Sequence, residues 1–91
     1  MKKIIKDLED KIKSLNKTIT NEDIGAIIAA LNDYLESIEV IEKNIKKIVE
    51  TNNEDEIQTC FLDIQMELCL HIANHINSIR KPLGNIINEL E

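Results

Sequence analysis

Turn-forming residues are almost missing from this 91-residue chain, which has one proline (Pro82) and two glycines (Gly25 and Gly84). A β-sandwich or barrel needs many tight turns, so those architectures are excluded. Two isolated glycines also build no phosphate-cradling loop. Aromatics are as scarce, with Tyr34, Phe61 and no Trp. A chain of net charge −6 with so few stacking side chains is a poor nucleic-acid binder, because that affinity rests on phosphate neutralisation and base stacking. The richest apolar window, Cys60 to Ala73, is interrupted by Asp63, Gln65, Glu67 and His71. Nothing approaches the ~18 apolar residues of a membrane span. The opening Met1-Lys2-Lys3-Ile4-Ile5-Lys6-Asp7 is broken by charge before a signal-peptide core forms. Cys60 and Cys69 lie nine residues apart in one predicted helix, about 13 Å along its axis and out of reach of a bridge. A reducing, cytoplasmic setting is expected, with no membrane and no nucleic acid among the partners.

What is present is aliphatic and helical. Hydrophobic residues make up 43% of the chain and eighteen positions are Ile, too apolar a mixture for a disordered segment. Ile5, Leu8, Ile12, Leu15 and Ile19 step by three and four, which predicts a first helix over 2–17. Thr18 to Asn21 breaks it, and Thr20 or Asn21, with Asp23 following, is a capping signature. The second stripe is the most regular: Ile24, Ile27, Leu31, Tyr34, Ile38, Ile41, Ile45 and Ile48 alternate steps of three and four as in a coiled-coil seam. This predicts a helix over 22–50, about 40 Å long. Thr51-Asn52-Asn53 is a short connector, and Asn53 before Glu54-Asp55-Glu56 is a second capping signature. A link this short folds the third helix, over 54–81, back antiparallel on the second. Pro82 is expected to stop it, with Leu83, Ile86, Ile87 and Leu90 forming a short fourth helix over 84–90. The chain thus reads as one all-α domain over 1–91.

The helix lengths do not match. A first helix of ~16 residues covers about 24 Å of a 40 Å partner. The far end of the hairpin, roughly Ile38 to Leu68, keeps many apolar side chains and no third element to cover them. Monomers rarely expose such a patch. The economical solution is self-association of two hairpins into a four-helix bundle, with Leu31, Ile38, Ile41, Ile45, Ile48, Phe61, Ile64 and Leu68 as the oligomer interface. A heterologous partner, or a longer or tilted first helix, would also resolve the mismatch.

One constellation carries candidate chemistry. Glu67, His71 and His75 are spaced i, i+4, i+8, and His-x-x-x-His on a helix can place two imidazoles on one metal with a carboxylate as third ligand. On a regular helical wheel, however, Cys60, Asp63, Glu67, His71, Asn74 and Ser78 form one continuous polar strip, the pattern of a solvent-facing edge. No metal or other cofactor is therefore expected. Both cysteines neighbour Phe61, Leu62, Leu68 and Leu70, where a thiol is packing material, and no catalytic set is assigned. The basic, amphipathic first helix could lie on a membrane surface, but its single stripe is expected to pack on the other helices. The acidic run Glu22, Asp23, Asp33, Glu36, Glu39 and Glu42 winds around its helix and reads as a solvated face.

In size and all-helical make-up the chain resembles the small immunity proteins that protect bacteriocin producers. In those proteins a bundle is followed by a short C-terminal segment, here Arg80-Lys81-Pro82-Leu83 and its tail. The resemblance has no diagnostic motif and places a role on no residue. Ile-, Lys- and Asn-rich usage is expected of a low-GC bacterium or its phage. The expectation is a non-enzymatic regulatory, inhibitory or immunity-type protein. It would work as a homo-oligomer and hold a partner protein or a small ligand. Alternatives are an oligomeric sponge for a small signalling ligand, or a metal-binding bundle on Glu67, His71 and His75.

Overall fold

The structure is a computed structural model, and it describes residues 2–15 and 17–91. It is all-α, with no strand among the described residues. The elements are α1 (Lys2–Ser14), α2 (Asn21–Glu50), α3 (Glu54–Met66), a π-helical turn (Glu67–Ile72) and α4 (Ala73–Leu90). The last three run on without a break, so the chain makes three helical rods. Among the described residues no helix is long and apolar enough to cross a membrane.

The helix starts follow local chemistry. Thr20 Oγ1 accepts from the Asp23 amide at 3.1 Å, with Glu22 and Asp23 in the first turn of α2. Asn53 Oδ1 accepts from the Asp55 and Glu56 amides at 2.9 and 3.2 Å. Each side chain satisfies amides that have no partner inside their own helix. The first helix is shorter than its stripe predicts. It ends at Ser14, whose hydroxyl donates to the Lys11 carbonyl at 2.7 Å and competes with continuation of the backbone ladder. Along α1, Lys6 reaches Glu9 and Asp10 at 3.1 and 3.4 Å.

Pro82 does not end the third rod, and the separate fourth helix expected over 84–90 does not form. Ala73–Leu90 is one helix with Pro82 inside it. A proline there removes one ladder bond, from the residue four earlier. That residue, Ser78, is exposed, so water can take the freed carbonyl.

α1 packs on α2 alone, where Lys2, Ile5, Lys6 and Glu9 share a groove with Ile28, Asn32 and Glu36. The start of α1 reaches Leu35, Ile38 and Glu39, and beyond that point, among the described residues, α2 has only the third rod beside it. The rods meet through pairs whose numbers run in opposite senses: Asp23 with Asn85, Asp33 with His75, and Ser37 with His71. The resulting body is elongated, 56 × 24 × 18 Å, with a radius of gyration of 17.1 Å, against about 12 Å for a compact chain of this length.

Beyond Ile27 the contact row on α2 departs from the apolar stripe. Ile24, Ile27, Ala30, Ser37 and Asn44 are its buried residues. Ala30, Ser37 and Asn44 are seven apart and share a face. Leu31, Ile38 and Ile45, one residue further on, are turned about 100° away. The third rod repeats this: Cys60 is buried and Glu67 half-buried, while Phe61 and Leu68, one residue further on, are exposed. Beyond Ile27, therefore, small or hydrogen-bonding side chains occupy the contact, and large aliphatics line the flank. The expectation that Cys60, Glu67 and His71 form a solvent-facing strip is overturned. That strip faces α2, and only its members Asp63, Asn74 and Ser78 are exposed.

A polar cluster at the π turn as candidate functional site

Glu67 and His71 lie in the π-helical turn, and His75 follows in the first turn of α4. In an α-helix each four-residue step overshoots a full turn by about 40°, so residues at i, i+4 and i+8 fan out. A π turn holds more residues and cancels part of that overshoot. All three side chains consequently stay near the α2 side.

There they meet two residues of α2. Ser37 Oγ is 2.6 Å from His71 Nδ1, and Glu67 Oε2 is 3.0 Å from the same nitrogen. A carboxylate can only accept, so Nδ1 carries the proton in that bond. The Glu67 carboxyl is held below its ordinary range, chiefly by this hydrogen bond from His71 and secondarily by Ser37. His75 Nε2 lies 3.1 Å from Asp33 Oδ2, and the two imidazoles stand edge to face with centroids 4.8 Å apart. Asp33, His71 and His75 each offer a donor atom within 4.8 Å of the others. The cluster is half-buried at the rim of the contact, apart from Ser37, which is 1% exposed.

The sequence-derived set Glu67, His71 and His75 is thus brought together, with different roles from those its spacing implied. Glu67 engages His71, and the carboxylate beside His75 is Asp33. Asp33 and Ser37 were missed. The signal for Ser37 was the row of small and polar residues Ala30, Ser37 and Asn44 at seven-residue spacing, a weak pattern next to seven aliphatics and Tyr34; nothing in the sequence set Asp33 apart from the other acids of α2.

Ser37, His71 and Glu67 are the residue types of a hydrolytic triad, but the geometry is wrong. A base must take the nucleophile's proton on one ring nitrogen while the acid holds the other. Here serine and carboxylate share Nδ1, and the hydroxyl is sealed from any substrate. The cysteines are also unlike each other: Cys60 is buried, and Cys69 is exposed, against the expectation that both pack.

Beside the cluster, Ala30, Leu31, Tyr34, Ile72, His75, Ile76 and Ile79 line an apolar cleft of about 240 Å³. Of the expected interface, Leu31, Ile41, Ile48 and Ile64 are half-buried, and Ile38, Ile45, Phe61 and Leu68 are exposed. No family model matches the chain, and no curated protein or solved structure is significantly similar to it.

Proposed function

We propose that the chain is a non-enzymatic protein that acts by stoichiometric binding. Its unit is an antiparallel helical hairpin that self-associates through the apolar flank of α2 and α3. The observation that carries this reading is the exposure of Ile38, Ile45, Phe61 and Leu68, with Ile45 at 50% and Phe61 at 58%. By helical phase all four share one side of the two rods. The total surface of 6817 Å² supports it as well, since a compact monomer of this mass exposes about 5,400 Å². A second copy laid along this flank would supply the cover that α1 gives only to the other end. The assembled surface then presents Tyr34, Ile76 and their cleft to a partner protein or small ligand, in a regulatory, inhibitory or immunity-type role.

Native mass spectrometry of the untagged chain tests the assembly. Masses in multiples of 10.4 kDa are expected at micromolar concentration. Ile45→Asp and Phe61→Asp, at positions open in the single chain, should give monomers of unchanged helicity, because association would bury an unpaired charge. A wild-type chain that stays monomeric up to hundreds of micromolar overturns the reading.

A further inference from the structure

We propose that Asp33, His71 and His75 form a binding site for a transition-metal dication of the zinc type, bridging α2 and the third rod. The site lies within one chain and stands whether or not copies associate.

Two imidazoles and one carboxylate are the donor set of an open zinc site, with three protein ligands and a fourth position for water. Two nitrogen donors argue against calcium or magnesium, which take oxygen ligands. At metal–ligand bonds of 2.0–2.1 Å the edge of a coordination tetrahedron is about 3.4 Å. His75 Nε2 and Asp33 Oδ2, 3.1 Å apart, already stand near that edge. The widest donor separation is 4.8 Å, a gap that modest side-chain rotation closes. Partial exposure of Asp33 and His71 leaves a path for the ion and its water.

The strongest support lies behind the ligands. Histidines that bind metals commonly donate their other ring N–H to a carboxylate, which fixes ring and tautomer. His71 Nδ1 is held this way by Glu67 at 3.0 Å, beside Ser37 Oγ at 2.6 Å, which leaves Nε2 free for an ion. Glu67 is therefore a positioning residue and Asp33 is the carboxylate ligand, drawn from a helix 38 positions earlier than His71. The π turn is what keeps both histidines on this side.

The test is calorimetric titration of the metal-free, untagged full chain with zinc sulfate, alongside cobalt(II) absorption spectroscopy. We expect one saturable ion per chain, a raised melting temperature, and a cobalt spectrum of four nitrogen and oxygen donors without a thiolate charge-transfer band. Asp33→Asn and His75→Gln should abolish saturable binding. Glu67→Gln should weaken it about 10–100-fold at unchanged stoichiometry. Circular dichroism of each metal-free variant separates lost binding from lost fold. Should a variant unfold, the wild-type cobalt spectrum decides alone. Absence of saturable uptake by the wild type overturns the proposal. So does a thiolate band, which would assign the ion to Cys60 or Cys69, or wild-type affinity in folded Asp33→Asn and His75→Gln.

Discussion

The two halves of α2 carry the same kind of apolar stripe and bury it differently. In the first half Ile24, Ile27 and Ala30 are buried, with α1 on one side and α4 on the other; in the second half the buried residues are Ser37 and Asn44, and Ile38, Ile45 and Val49 are exposed. A stripe of this width is closed only when neighbours flank it on both sides. With a single neighbour, the helix presents its smallest face to the contact and its greasiest face remains open. The first half is a core, and the second half is a surface whose side-chain hydrogen bond to the third rod, among the described residues, is Ser37–His71.

The sharpest way to break this contrast is to delete equal side chains from both halves. Ile24→Ala, at a site 2% exposed, should cost about 2–4 kcal/mol in urea unfolding. Ile45→Ala should change stability by no more than about 0.5 kcal/mol at a concentration where the chain is monomeric, and by more where it associates. Equal losses at high dilution would mean that the two halves are packed alike.

Removal of the Asn53 cap by Asn53→Ala should cost about 1 kcal/mol, read from the thermal midpoint. It frees two amides at the end of the molecule that only two rods hold together. A neutral result would show that this end frays without affecting the rest.

Asn44→Leu should act in the opposite direction. Asn44 is buried, and its Nδ2 donates to the Val40 carbonyl of its own helix at 2.9 Å, a bond that orders nothing between rods. An apolar side chain of similar volume should stabilise by up to about 1 kcal/mol. A loss of that size in the urea midpoint would mean that the polar seam sets the register of the two rods.

The smallest effect is pH-dependent. Because the Glu67 carboxyl is held below its ordinary value of 4.5 by His71, the unfolded chain takes up that proton first as pH falls. The contribution is whole above pH 4.5 and is lost as pH drops below it towards the folded value. Urea midpoints between pH 7 and 3 should fall more steeply for the wild type than for Glu67→Gln. Parallel profiles would show that the Glu67–His71 contact does not persist in solution.

All-α class, the boundaries of α2 and both caps were legible in the sequence because each is decided within about four residues of chain. Thr20 and Asn53 hold their amides wherever the helices go next. The length mismatch was legible too, from rise per residue alone. Three things were not: the rotation of α2 that turns Ser37 and Asn44 inward, the π turn that keeps Glu67, His71 and His75 together, and the pairing of Asp33 with His75 across the two rods. A helical wheel sets which residues share a face but not what that face meets, so the polar strip was assigned to solvent although α2 offers it small and polar side chains. Pro82 misled in the same way, since its local tendency to end a helix yielded to a backbone whose freed carbonyl could stay in water. Local chemistry determined where the helices start. Which face each one buries was decided only by packing, because that choice depends on how many neighbours are present to cover it.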